Sequence, residues 1–445
     1  MVGPIGWVKG KLSESKPTNV VIYGYIGYIL VGTFLLLMPF SQRNTVNLLD
    51  NLFVATSAVS TTGLSPIIVG HDYNLFGQIV LLVLIQVGGI GYMTFSSFVI
   101  LSTRRDLKDK RKSISRTVFS IPEDFIIEKF LLGVVIFTVL IESAGAVALY
   151  YIFSANGDPT PVWNAIFHSI SAFCTAGFSL FSGNLEAYRG DFWLNLVISV
   201  LSFSGAIGFI VFVDLWRRLI GKVDRLSLTS MIILRTTFWL TVIGTFIVLV
   251  TERSFDGMPA WERLAASFFQ VMTSITTVGF NTVPVGGLTR SVVLLTTILM
   301  IIGASPAGTG GGLKTTTFSA IIGLTRSVIK GKRSVTFWGA VIPADRVKTA
   351  VATLGLYITS LALGVYLLTL TESGSTSVLD IYFESASALG TVGLSTGLTP
   401  ALSAMGKIVV ILLMLIGRVG PLTFGVALFV KNRLIFDNRR TDMAV

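Results

Sequence analysis

The sequence predicts an all-α polytopic membrane protein. Four repeats, each an outer helix, a short re-entrant helix and an inner helix, give eight transmembrane helices around a pseudo-fourfold axis. Three observations predict this: eight long apolar stretches, four shorter stretches between them, and a related Thr-x-Gly string closing each shorter one. Of the 445 residues 52% are hydrophobic and 13% charged, with a mean hydropathy of +0.78. That is more apolar surface than a soluble domain can hide.

A helix needs about 20 apolar residues to cross the hydrocarbon. Stretches of that kind lie at 20–40, 74–103, 130–153, 192–213, 229–251, 290–329, 347–371 and 407–430. Apart from Arg290, Arg326, Lys348 and Lys407 at their ends, their charges are Glu142, Arg235 near a span end, Lys314 and Arg418. The first run begins near Val20 and is long enough to span, so it is expected to remain as a helix rather than be cleaved as a signal. The shorter stretches, 48–58, 162–174, 262–275 and 379–389, each follow an odd-numbered span and precede an even-numbered one. At about 1.5 Å per residue they reach about halfway across a bilayer. They must enter and return, which backbone tolerates only inside protein or beside a wet cavity.

The strings are Thr61-Thr62-Gly63, Thr175-Ala176-Gly177, Thr277-Val278-Gly279 and Thr391-Val392-Gly393. Ten residues before each glycine stands Phe53, Phe167, Phe269 or Phe383, and six before stands Ser57, Ser171, Thr273 or Ser387. Shared identity at matching offsets marks internal repeats. The expected units are 1–103, 104–216, 217–329 (with a broken inner helix) and 330–445. Each holds an even number of spans, so all enter the membrane in one orientation and their strings converge on one face.

Charge fixes that face. Of 34 Lys and Arg residues, 26 lie in the tails and inter-repeat loops, and six in segments flanking the short stretches. Positive loops stay cytoplasmic, so both termini are expected inside and the strings near the outside. The same distribution accounts for the net charge of +11 without nucleic acid. One cysteine, Cys174, leaves no intrachain disulfide, and two histidines make a histidine-rich metal site unlikely on composition.

The strings suit a monovalent cation. Backbone carbonyls can replace an ion's hydration shell, and glycine permits the backbone angles this needs. Threonine hydroxyls can add an oxygen layer. No Asp or Glu stands in any string, whereas a ring of acids would suit divalent ions. The expected site is K⁺ held at carbonyls of Thr61, Thr62, Gly63, Thr175, Ala176, Gly177, Thr277, Val278, Gly279, Thr391, Val392 and Gly393.

With these strings and this four-unit plan, the whole chain resembles the Trk/Ktr/HKT superfamily of potassium transporters, and its compact length is most similar to the membrane subunits of bacterial Ktr systems. The resemblance implies K⁺ uptake across a bacterial plasma membrane, one filter glycine per repeat, a homodimer, and a separate cytosolic ring subunit that binds nucleotides. It implies no cofactor in this chain. Serine at the first filter position accompanies Na⁺-selective members, so Gly63 implies K⁺.

Residues 290–329 would form a straight helix of about 60 Å, twice the hydrocarbon. Gly303, Pro306, Gly308, Gly310, Gly311 and Gly312 break it. An intramembrane loop is expected there, acting as a gate with Lys314 and Arg418 or serving as a static break for helix packing, with Lys314 then a helix-start residue; the resemblance implies such a loop beneath the filter and supports the gate. Arg418 either lines the cavity as a barrier to cations or forms a salt bridge that fixes packing. Glu142 and His168 read as structural residues, and Cys174 as a small neighbour of its string. The main rival is a Na⁺- or H⁺-coupled secondary transporter, with Na⁺ as a coupled or activating ion. An enzyme would need a cluster of acids, histidines or a nucleophile at one depth, and the sparse intramembrane charges supply none.

Overall fold

The structure, a computed structural model, describes residues 17–91, 127–332, 334–337 and 339–429. It is mostly helical. Four long outer helices are α1 (Pro17–Leu37), α4 (Ile127–Ala155), α8 (Leu228–Thr251) and α12 (Ala344–Thr371). Each is followed by a short helix: α2 (Leu48–Val59), α5 (Pro161–Phe173), α9 (Ala260–Thr276) and α13 (Val378–Gly390). Inner helices follow in turn: α3 (Leu75–Ile90), α6 (Phe192–Ala206) continued by α7 (Phe209–Leu219), α10 (Arg290–Ile302) continued by α11 (Thr315–Ile329), and α14 (Ala404–Val419) continued by α15 (Pro421–Phe429). A small hairpin, β1 (Thr336–Phe337) with β2 (Ala340–Val341), joins α11 to α12.

By length and composition, three helices among the described residues are able to cross a bilayer, Leu132–Ala155, Leu228–Thr251 and Ala344–Thr371, with a fourth if the bent pair α6–α7 counts as one. The lipid-facing character is written on their outer sides: Leu140 (63% exposed), Phe246 (66%) and Tyr366 (61%) point away from the fold. The centre is rich in hydroxyls instead, with Thr56, Ser57, Thr175, Thr273, Ser387 and Thr391 fully buried. A membrane protein can invert the soluble pattern in this way only if its buried polar groups find partners.

Local chemistry starts the inner helices where the sequence puts capping residues. Asn74, Asp191 and Ser403 accept from the backbone N–H of Gly77, Leu194 and Gly406. Glu252, at the end of α8, accepts from the Thr289 amide (2.9 Å) and hydroxyl (3.0 Å), pinning the start of α10. Glu372, at the end of α12, does the same for Ser403 at the start of α14.

Two sequence expectations change. The stretch 192–213 is not one straight span: α6 and α7 meet at 94°. The stretch 407–430 likewise ends one helix at Val419 and starts another at Pro421. So the 290–329 span is not the only broken inner helix. Each first inner segment ends at a glycine of positive φ: Gly91 (87°), Gly208 (95°), Gly303 (67°) and Gly420 (90°). In three of these inner segments this glycine closes a Gly-x-x-Gly whose first member packs on the neighbouring short helix. A side-chain carbon at Gly88, Gly205 or Gly417 would overlap the carbonyl oxygen of Val59, Phe173 or Leu389. The expected boundary near residue 103, the span end at 92–103 and the C-terminal tail from 430 lie outside the described residues.

Candidate functional site

Each short helix ends in one motif. After α2, Thr61 N–H bonds to Ala58 O (3.0 Å) and Thr62 N–H to Ser57 O (2.8 Å). This is the Schellman closure, which ordinarily places glycine in the left-handed position. Here threonine occupies it, at Thr61 (φ 52°), Thr175 (50°), Thr277 (57°) and Thr391 (48°). The hydroxyl residue six before the glycine has a part in this turn. Ser57 Oγ accepts from Gly63 N–H (3.0 Å), and Ser387 Oγ accepts from Gly393 N–H (3.1 Å). Ser171 Oγ donates instead to Phe178 O (2.9 Å), and Thr273 Oγ1 has no partner. The recurrent phenylalanines, Phe53, Phe167, Phe269 and Phe383, are buried behind the turns.

The four strings close on one another. A side-chain carbon on Gly63 would overlap the Ala176 carbonyl oxygen; one on Gly177 would overlap that of Val278; one on Gly279, that of Val392; and one on Gly393, that of Thr62. The contacts run from first string to second, third, fourth and back to first. The glycines all have positive φ, from 63° to 97°. Four carbonyl-bearing strings therefore stand in a closed cycle, with no carboxylate among them. The four short helices direct their C-terminal, partly negative ends toward it.

The loop between α10 and α11 lies against the threonine side of this cycle. Thr309 is its contact point: its hydroxyl donates to Phe173 O (3.1 Å) and takes a bond from Thr175 Oγ1 (3.0 Å). Its carbonyl accepts from Thr61 Oγ1 (3.4 Å) and from the Arg418 guanidinium. Gly311 N–H donates to Thr277 Oγ1 (3.0 Å). Broken helices leave carbonyls without intrahelical partners, and the loop supplies donors: Ser305 N–H reaches Ala206 O and Thr309 N–H reaches Gly205 O, both at 3.0 Å. Arg418 also donates to the carbonyls of Gly88 and Gly89 at the end of α3. Among the described residues it makes no ion pair; three backbone carbonyls hold it. Lys314 (φ 84°) folds back to give its ammonium to Gly310 O at 2.5 Å and Gly311 O at 3.4 Å. Beyond the loop opens a cavity of about 1050 Å³, lined by Gly310, Gly312, Lys314, Arg346 and Arg418.

A family model described as TrkH, cation transport protein, matches residues 9–433. The chain belongs to the TrkH family. The Ktr system potassium uptake protein B of Bacillus subtilis is 34% identical over 425 residues, covering 94% of this chain and 93% of that one. The protein of the same name from Vibrio alginolyticus is 32% identical, covering 93% and 92%. The potassium/sodium uptake protein NtpJ of Enterococcus hirae is 34% identical over 428 residues, covering 94% and 93%. The crystal structure of the potassium transporter TrkH from Vibrio parahaemolyticus shares the fold, with a TM-score of 0.74 at 18% identity over 93% of this chain and 85% of that one. The chain is thus a membrane-embedded cation transport protein, not an enzyme.

In this TrkH-family chain the remaining singled-out residues are satisfied by neighbours. Glu142 accepts from Gln86 Nε2 (3.1 Å), and Cys174 lies 3.7 Å from its carboxylate. His168 is stacked on Phe181 at 4.7 Å. Sequence reasoning missed Thr309, which sits amid the glycines of 303–312 as an ordinary polar residue. It also missed Gly91, Gly208 and Gly420, although the recurring Gly-x-x-Gly late in three inner stretches was a visible signal.

Proposed function

We propose that the chain carries K⁺ into the cell through a single pore on the axis of the Thr-x-Gly cycle. In this reading the four units, 1–103, 104–216, 217–329 and 330–445, supply eight membrane helices. The twelve string residues form the selectivity filter. The observation that carries it is the closed order of glycine-to-carbonyl contacts, since a ring of backbone oxygens can replace a hydration shell. The names of the TrkH-family relatives support potassium as the ion. A potential of 100 mV, negative inside, is worth about 2.3 kcal/mol per charge, so uptake needs no chemical step by this chain.

The loop 303–314 is the gate. Gly303, Pro306, Gly308, Gly310, Gly311 and Gly312 let it fold beneath the filter. Lys314 and Arg418 hold it there through backbone carbonyls and set positive charge in the cation path. Opening requires Thr309 and Gly311 to leave the threonine hydroxyls. The basic segments 104–129 (of which 104–126 lie outside the described residues), 217–235 and 326–348, cytoplasmic in this orientation, suit docking of a cytosolic nucleotide-binding subunit, and a homodimer in the bacterial plasma membrane completes the assembly.

The test is ⁸⁶Rb⁺ uptake into liposomes holding the purified protein. Excess K⁺ is expected to suppress uptake well below excess Na⁺; equal suppression, or none, contradicts the reading. One relative's name includes sodium, which favours a second reading in which Na⁺ is coupled to or activates K⁺ movement. Uptake that disappears when the Na⁺ gradient is dissipated, with Na⁺ still present on both sides, selects coupling.

A further inference from the structure

We infer that His168 and Glu384 are positioning residues that brace opposite strings of the cycle and so set its discrimination among monovalent cations. The inference rests on the filter reading above. It comes from one offset compared across the four repeats. After the second and fourth glycines, the residue two after the glycine meets the residue nine before it, and the same offsets define a pair in each of the other two units. The pairs are Val54 with Ser65, His168 with Ser179, Gln270 with Asn281, and Glu384 with Ser395.

Only two pairs are bonded. In the second repeat His168 Nε2 lies 2.9 Å from Ser179 Oγ, and Nδ1 lies 2.7 Å from Asn164 O. The Asn164 carbonyl can only accept, so the ring carries its proton on Nδ1 and Nε2 takes the proton of the Ser179 hydroxyl, whose oxygen in turn accepts from Phe181 N–H (3.0 Å). In the fourth repeat Ser395 Oγ accepts from Gly397 N–H (3.1 Å) and donates to Glu384 Oε2 (2.8 Å). The buried Thr399 hydroxyl donates to the other carboxylate oxygen. Both His168 and Glu384 are fully buried, in the middle of their short helices.

The other two pairs make no such link. Val54 offers no polar atom, and Ser65 Oγ bonds within its own turn to Ile67 O (2.7 Å). Gln270 Nε2 has no partner, and Asn281 turns away to Glu186 Oε1 (2.7 Å) and Val283 O (3.1 Å). The order of contacts around the cycle places the second and fourth strings diagonally. One diagonal is thus clamped to its helices by side-chain hydrogen bonds and the other is not. A clamped string resists the small displacements that would let carbonyls close around a smaller ion, so the braces act on selectivity more than on folding.

The test measures the K⁺/Na⁺ flux ratio in proteoliposomes for Ser179→Ala and Ser395→Ala, each of which removes one hydroxyl. Each is expected to lower the ratio about three- to tenfold, the effect of one lost buried hydrogen bond. Ser179→Thr and Ser395→Thr are expected to restore it, and Ser65→Ala to move it less than twofold. Glu384→Gln reads the same brace if Ser395→Ala fails to fold, and combined with Ser395→Ala it is expected to add little to either alone. Ratios unchanged in Ser179→Ala and Ser395→Ala, while Gly63→Ser shifts its own, overturn the braces and leave the filter standing. If Gly63→Ser also leaves the ratio unchanged, the filter reading falls and the braces with it.

Discussion

Threonine in the left-handed region costs about 1–3 kcal/mol at each position, and this chain pays it four times at one level of the fold. Glycine would relieve that cost but would lose the hydroxyls that meet Thr309 and Gly311. The glycine two residues on is constrained differently, by the neighbouring carbonyl. Gly63→Ser must displace the Ala176 carbonyl as well as adopt a positive φ, so the K⁺/Na⁺ flux ratio is expected to fall about tenfold or more. Arg418 holds three carbonyls from two elements. Arg418→Ala removes charge-assisted hydrogen bonds worth about 1.5–3 kcal/mol each and is expected to raise ⁸⁶Rb⁺ flux about tenfold or more by freeing the loop. Flux at or below that of the unaltered protein makes Arg418 a purely structural donor.

At the scale of elements, the inner helices are the informative ones. Their first halves are held on the short helices by Gly88, Gly205 and Gly417, and a larger residue there pushes against backbone that cannot yield. Gly205→Val is expected to lower stability by about 1–3 kcal/mol, read as a fall in the detergent melting temperature. Shortening the α10–α11 loop by deleting Gly310–Gly312 removes its contact with Thr277 and is expected to raise basal flux; unchanged flux places the gate elsewhere. Much of this scale was legible in the sequence. The short helices announced themselves by length and by the phenylalanine, hydroxyl and glycine offsets, and the 290–329 break by Pro306 and its glycines. The α6–α7 bend was not legible by the same rule. Residues 192–213 form an apolar run without proline, and two glycines three apart, Gly205 and Gly208, read inside such a run as tolerated helical residues. What turns Gly208 into a corner is tertiary: Phe209 N–H bonds to Ala307 O, and a side-chain carbon on Gly208 would strike Pro306 O. The α10–α11 loop thus shapes a helix about 100 residues before it in sequence, which no local pattern encodes.

At the scale of the molecule, closure is the central fact. Lys407 on α14 meets Asp50 on α2 at 2.6 Å, both largely buried, so the helix after the fourth string is tied to the helix before the first, where the cycle closes. Lys407→Met leaves Asp50 without its partner and is expected to cost about 3 kcal/mol, with partial recovery on adding Asp50→Asn. The convergence of the four strings was foreseeable from their shared offsets; the bonds on one diagonal were not, because His168 and Glu384 share no residue type. The most direct measurement of the central claim is anomalous diffraction from crystals of the full chain grown with Tl⁺, a K⁺ substitute. The account predicts a peak on the axis of the four strings, within coordinating distance of carbonyl oxygens from all four. A strong peak elsewhere in the membrane region, with none on that axis, contradicts it.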